Sequence, residues 1–266
     1  MDLDDRKRTE GGIGASGGGG PAAVAVFDLD GTLVDSSRDI HEALAVALRT
    51  VDDGRESAAA DEAALHHGAH GQTLEHFFTA ARPSLSPDAM RALIAVYRRH
   101  YYDHLLDHTR PFVGVVDGLE RLRRLREDSV RSARGDHAGP RLRLCIATTK
   151  LTATAQRVTE GLGLYGYFDQ VLGSDGLRAK PDPAVVHAVF ARLGRAPGLV
   201  ADRQWDVMVG DTDFDVLAGR AAGLSTCAVG WSELPRERLL ASRPDFVART
   251  FTEVVDLIVT HTMHLW

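Results

Sequence analysis

Asparagine is absent from this 266-residue chain, and lysine nearly so: Lys7, Lys150 and Lys180 are the only lysines, and the other 28 of the 31 basic residues are arginine. Lysine is a compact point charge and arginine a bulky planar fork, so a lysine in such a chain marks a place where a small cation is wanted. Two of the three fall just after predicted strands, in Thr148-Thr149-Lys150 and Ala179-Lys180-Pro181. A phosphate bound there would need such a cation. Cysteine is scarce as well. Cys145 and Cys227 each lie inside an apolar, strand-like run, which points to two buried thiols in a reducing compartment rather than to a disulfide. No apolar stretch reaches the roughly 18 residues that a membrane span needs. The first twenty residues are charged and then glycine-rich, without the apolar middle of a signal peptide. They read as a disordered leader, residues 1–20, of a cytoplasmic protein. A formal net charge of −6 with both signs spread along the chain leaves no basic footprint for nucleic acid.

What is present is organised around Ala22 to Ser36. The apolar run Ala22 to Phe27 predicts a buried parallel strand. It ends at Asp28, and Asp30, Gly31 and Thr32 follow. Ligands of open α/β sheets bind at the carboxyl ends of strands. Two carboxylates a few ångströms apart repel unless a cation or a shared proton relieves them. A hard divalent ion such as Mg2+ is the simplest relief. Gly31 permits the tight turn.

Downstream, Asp39 to Leu48 has apolar residues at helical spacing, with Ser36 or Ser37 able to cap it. Asp52-Asp53-Gly54 reads as a turn. Residues 58–108 look helical throughout, in pieces Ala58–His67, Thr73–Ala81 and Pro87–His108. Seven of the twelve histidines lie between His66 and His108. The cluster His66-His67-Gly68-Ala69-His70-Gly71 fits an exposed turn between helices, a loop touching the substrate, or a metal site without a cysteine partner. From Val115 the chain returns to alternation: a helix to about Arg126, a polar surface loop over 127–140, and a strand Leu142–Ala147 ending in Thr148-Thr149-Lys150. A helix over Thr152–Gly161 and a short strand within Tyr167–Ser174 follow. Lys180-Pro181-Asp182-Pro183 then opens a helix reaching about Leu193. A fourth strand, Asp206–Gly210, exits into Asp211, Asp213 and Asp215. A helix Val216–Gly223, a strand Leu224–Val229, a short strand near Phe246 and a helix over 251–262 complete the pattern. Alternating strands and helices call for a parallel sheet with right-handed crossovers.

The segments D-L-D-G-T-L-V-D-S, Thr148-Thr149-Lys150, K-P-x-P and G-D-x-x-x-D resemble, in order, the four motifs of the haloacid dehalogenase-like phosphatase superfamily. The resemblance covers nearly the whole chain after residue 21. It implies an α/β fold with a Rossmann-like parallel-sheet core, residues 21–35 and 109–266, and a small helical cap domain, residues 36–108, inserted after the first strand. It also implies roles. Asp28 is the nucleophile that becomes an aspartyl phosphate, and Asp30 is the general acid and base. Thr148, Thr149 and Lys180 bind substrate. Asp28, Asp30 and Asp211 hold Mg2+, with Asp215 in support. An Asp at position 30 favours phosphate esters over halides. Asn often stands where this chain has Thr149, so that position departs from the pattern. Tyr97-Arg98-Arg99-His100-Tyr101, Thr109-Arg110-Pro111, the Thr148 loop and Lys180-Pro181-Asp182-Pro183 look most like phosphoglycolate phosphatases. The implied protein is a monomeric or homodimeric enzyme for a small phosphate ester, with no nucleic-acid or membrane partner. The rival readings are a phosphatase for nucleotides or sugar phosphates, a β-phosphoglucomutase-like sugar-phosphate mutase, and a non-catalytic binding module on the same fold.

Overall fold

In the computed structural model, residues 22–50, 73–132, 141–195, 205–231 and 233–263 are described. The leader, the Asp52 turn, the Ala58–His67 segment, the His66–His70 cluster and residues 133–140 lie outside them.

The apolar run is strand β1, Ala22–Phe27. It carries no polar alternation because both of its faces are covered. Ala23, Ala25 and Phe27 face one cluster, which also holds Leu119, Leu122, Phe251, Val254, Val255 and Ile258. Val24 and Val26 face the other, with Val185, Val186, Val189 and Phe190. Fully burying one such side chain stabilises the fold by about 1.5–3 kcal/mol, so the sheet is the dominant hydrophobic element.

Eight strands and nine α-helices occur among the described residues. The strands are β1, β2 (Val34–Asp35), β3 (Arg110–Pro111), β4 (Arg141–Ala147), β5 (Gln170–Leu172), β6 (Val207–Gly210), β7 (Ser225–Val229) and β8 (Phe246–Ala248). The helices are α1 (Ser37–Thr50), α2 (Leu74–Ala81), α3 (Pro87–Asp103), α4 (Val115–Ser132), α5 (Thr152–Gly161), α6 (Ala184–Arg192), α7 (Asp213–Ala221), α8 (Arg236–Ala241) and α9 (Phe251–Met263). Six strands form one parallel sheet in the order β5-β4-β1-β6-β7-β8. This is the expected α/β core. Because β1 is central, with β4 and β6 on either side, the residues just past these three strands meet at one rim.

Helices α1 to α3 lie between β2 and β3. These two short strands pair antiparallel, Val34 opposite Pro111 and Asp35 opposite Arg110. The ribbon ties the chain's exit from the sheet to its return. A buried carboxylate fastens the same place: Asp39 of α1 accepts from the backbone N–H of His108 and Thr109 and from the Thr109 hydroxyl. Helix α3 starts where Ser86 caps it and Pro87 follows, since proline costs nothing where no helical N–H partner exists. Leu44 and Leu48 of α1 share a cluster with Leu93, Tyr97 and Tyr101 of α3.

Three expectations need correction. The polar run from 127 does not begin a loop: α4 continues to Ser132. Its Arg123 pairs with both Glu120 and Glu127, and such i,i+3 and i,i+4 pairs support a helix without an apolar stripe. Helix α3 ends at Asp103 rather than near His108, and α7 starts at Asp213 rather than Val216. The short strand expected within Tyr167–Ser174 is Gln170–Leu172, preceded by a 3-10 turn at Tyr165–Tyr167.

Candidate active site

Asp28 follows β1 directly, and its backbone N–H still donates to Val209 of β6, at 2.9 Å. The residue is 7% exposed. Lys180, delivered by the β5–α6 connection, reaches under it. The Nζ donates to Asp28 Oδ1 at 2.7 Å, to Asp215 Oδ1 at 2.5 Å and to the Ala147 carbonyl at 3.1 Å. One buried ammonium therefore clamps the ends of β1 and β4 and the start of α7. Burial alone would lower the lysine's pKa, but Asp215 and Asp28 outweigh it and raise it. Lys180 is a fixed positive charge.

Asp211 stands just past β6. The Thr32 hydroxyl donates to its Oδ1 at 2.9 Å. Gly31 has φ +80°, and a Cβ there would stand 2.2 Å from Asp211 Oδ2. This glycine supplies both a left-handed turn and room for the acid. At the start of α7, Thr212 and Asp215 form a reciprocal cap: the Thr212 hydroxyl accepts from the Asp215 N–H, and the Thr212 N–H donates to the Asp215 carboxylate. Asp215 thus serves the helix and Lys180 together.

Oxygens of Asp28, Asp211 and Asp215 all lie within 4.8 Å of one another. Burial, followed by the opposing influence of Lys180 and the like charge of Asp215, leaves Asp28 raised to about 7. Burial and then Asp215 and Asp28 hold Asp211 well above the carboxylate range. Three carboxylates face one ammonium, so the cluster is short of positive charge. All the available donors are hard oxygens. That set fits a hard divalent cation and offers nothing to a thiophilic one.

Asp30 sits on the turn after Asp28. Its Oδ1 accepts from the Ser36 hydroxyl at 2.5 Å and its Oδ2 from Lys150 Nζ at 2.7 Å. Lys150 also lies over the Tyr101 ring, 4.6 Å from its centroid. Thr148 directly follows β4 and is buried; its hydroxyl accepts from the Lys150 N–H. The loop Thr148–Lys150 passes against Gly173, where a Cβ would stand 2.1 Å from the Lys150 carbonyl. Thr149, Lys150, Asp30 and Asp211 line a cavity of about 660 Å³, which Ile40 of α1 and Tyr97 and Tyr101 of α3 line as well.

The structure thus joins Asp28, Lys180 and Asp215 in direct contact and brings an Asp211 oxygen within 4.8 Å of those of Asp28 and Asp215. It places Asp30 and Thr149 on the adjoining cavity, with Thr148 behind them. Asp213 turns away and pairs with Arg238. Sequence reasoning marked Lys150 as a cation that a phosphate could use but assigned it no role, and it did not name Ser36, Thr32 or Tyr101 as site residues. Lys150 carried a signal, its rarity at a strand end; a hydroxyl or a tyrosine in a helix carries none.

A central strand flanked by crossovers, with acids and an ammonium at the carboxyl rim, defines a Rossmann-like α/β enzyme built around a buried acidic centre. Residues 22–223 match the model of the haloacid dehalogenase-like hydrolases, and the chain belongs to that family. It is 32% identical to the probable phosphatase IndB of Dickeya dadantii over 87% of this chain and 91% of that one. It is also 32% identical to a phosphoglycolate phosphatase of Caulobacter vibrioides, over 90% and 91%. A solved haloacid dehalogenase-like hydrolase from Streptococcus pneumoniae superposes with a TM-score of 0.67 at 28% identity, over 89% of this chain and 98% of that one. No described helix is long and apolar enough to cross a membrane.

Proposed function

We propose that the protein is a Mg2+-dependent phosphatase that hydrolyses a small phosphomonoester of the 2-phosphoglycolate type through an aspartyl phosphate on Asp28. The observation that carries this reading is the buried contact of Asp28 with Lys180, 2.7 Å long, beside two further carboxylates. An ammonium fixed there holds the Asp28 carboxylate in place and offsets the charge of an incoming phosphate dianion. Two relatives named as phosphatases support the same class.

In this scheme an Asp28 oxygen attacks phosphorus while Lys180, Thr148 and Thr149 hold the phosphoryl oxygens. The phosphorus–ester oxygen bond breaks, and Asp30 gives its proton to the departing alkoxide. The products of this half are the free alcohol and the aspartyl phosphate. Asp30, now a carboxylate, takes a proton from water. The resulting hydroxide attacks phosphorus and frees Asp28 and inorganic phosphate. Lys150 and Ser36 hold both Asp30 oxygens, which sets where that proton is delivered. The carboxylates of Asp28 and Asp211 and the backbone carbonyl of Asp30 would hold Mg2+, with Asp215 in support. The bound ion would screen the phosphate's charge.

Residues 36–108 act as a cap that shuts water out during chemistry, over a core of 21–35 and 109–266. The cavity supports this division, since residues of α1, α2 and α3 line it together with residues just past β1, β4 and β6. Cys145 and Cys227 are both buried free thiols, which suits a reducing cytoplasm.

The test is phosphate release from a panel of phosphomonoesters with and without Mg2+, including 2-phosphoglycolate, a nucleoside monophosphate and a sugar phosphate. Mg2+-dependent release that Asp28→Asn abolishes is expected. Undiminished release by that variant overturns the scheme, and conversion of a sugar phosphate to its isomer without free phosphate replaces the hydrolase with a mutase.

A further inference from the structure

Helix α5 begins without a cap of its own. Leu151 stands at the capping position, and its side chain makes no bond to the first N–H groups. The acceptor comes from a distant part of the chain. Asp175 Oδ2 accepts from the Thr152 N–H at 2.8 Å and from the Thr152 hydroxyl. The Thr152 hydroxyl oxygen in turn accepts from the Gly173 N–H at 2.9 Å. Ser174 adds two bonds: its hydroxyl donates to the Thr149 carbonyl at 2.7 Å, and its N–H to the Lys150 carbonyl at 3.0 Å. Residues 173–175, just past β5, therefore hold Thr149, Lys150 and Thr152 together.

A helix start needs a cap, but it does not need the two carbonyls before it to be fixed as well. Here both are. The peptide plane between Thr149 and Lys150 is held at each end, its carbonyl by Ser174 and its N–H by the Thr148 hydroxyl. The next plane is held through the Lys150 carbonyl. Peptide units are rigid, so these bonds set the directions in which the side chains of Thr149 and Lys150 leave the backbone. Both residues line the cavity, and Lys150 reaches Asp30. Lys180 follows only five positions after Asp175. The segment thus lies between the hydroxyl side and the ammonium side of the site.

We propose that Asp175, with Ser174, is the positioning residue of the phosphoryl-binding loop. It acts through Thr152 to keep Thr148–Lys150 in the shape that receives phosphoryl oxygens. Asp175 itself is exposed and does not line the cavity, so it touches no substrate. This rests on the phosphatase reading, in which Thr148 and Thr149 hold those oxygens. A displacement of about 1 Å made far from the chemistry can cost up to about a hundredfold.

The test uses the full chain and two calorimetric titrations, inorganic phosphate in the presence of Mg2+ and Mg2+ alone. Asp175→Ala should weaken phosphate about tenfold. Its Mg2+ midpoint should match wild type, because Asp28 and Asp211 leave other strands. Asp175→Asn keeps an acceptor oxygen for Thr152 and should recover most of the phosphate affinity. A lower melting temperature with phosphate affinity unchanged would reduce Asp175 to a helix cap and overturn the proposal. Parallel loss of phosphate and Mg2+ affinity would mean general distortion and overturn it too, as would an Asn variant no better than the Ala variant. A wild type that binds no phosphate overturns both this role and the phosphatase reading. If phosphate binds and depends on Asp175 as described, yet no ester releases phosphate, the phosphatase reading alone fails.

Discussion

Replacing Lys180 by methionine keeps the length of the side chain and removes its charge. The side chain is 2% exposed and meets carboxylates at 2.7 and 2.5 Å, so no water takes over its task. Breaking a buried pair by removing one partner costs about 3–5 kcal/mol, and here two partners are stranded. The cost must depend on pH, in a definite direction. In the wild type without metal, burial has already raised Asp28 to about 7 despite Lys180, against roughly 3.9 in an unfolded chain. Between those values the folded state binds more protons than the unfolded one, so stability falls as pH rises and levels off above about 7. Lys180→Met removes the main influence that lowers Asp28, so its pKa moves higher and the decline continues past 7. Each pH unit of that extra window is worth about 1.4 kcal/mol per carboxyl. The expected result, from urea denaturation in EDTA, is a small difference from wild type at pH 5.5 and a loss of about 3–5 kcal/mol at pH 8.5. A difference that is constant with pH, or that grows toward acid, refutes the argument that Lys180 is the counter-charge of this cluster.

Gly31→Ala should be destabilising by about 1–2 kcal/mol from its positive φ alone, and its methyl would displace Asp211. A magnesium titration of activity should show a midpoint raised about tenfold or more, that is, at least about 1.4 kcal/mol of lost binding; an unchanged midpoint would remove Asp211 from the metal set. Burial pushes the thiols of Cys145 and Cys227 up to about 12. Neither should therefore react with iodoacetamide at pH 8 in the folded protein, and both should react in urea. Labelling of the native chain, read by mass, would contradict their placement.

The sheet was legible because its strands are apolar on both faces, so Ala22–Phe27 and the strand around Cys145 announce themselves without periodicity. The strand order was not legible, because pairing between strands far apart in sequence leaves no local pattern; the structure places β1 between β4 and β6. The α4 extension was hidden because Glu127 and Arg123 stabilise it by charge pairing, which in sequence resembles a polar loop. The ribbon β2–β3 was hidden because two-residue strands have no pattern. In the candidate site, Asp28, Asp30, Lys180 and Asp211 were legible as charged residues at strand exits. Lys150 was noticed for its rarity, but its bond to Asp30 joins residues 120 positions apart. Tyr101 reads in sequence as one apolar position of α3, and only its unpaired hydroxyl distinguishes it.

The central claim is that Asp28 is the nucleophile that accepts the phosphoryl group. It is tested most directly by mixing the enzyme with 2-phosphoglycolate and Mg2+, quenching in acid within milliseconds and weighing the peptide that contains residues 22–38. The account predicts a fraction of that peptide heavier by one phosphoryl group, with the modification on Asp28. A phosphoryl group on any other residue, or phosphate release with the peptide never modified, would contradict it.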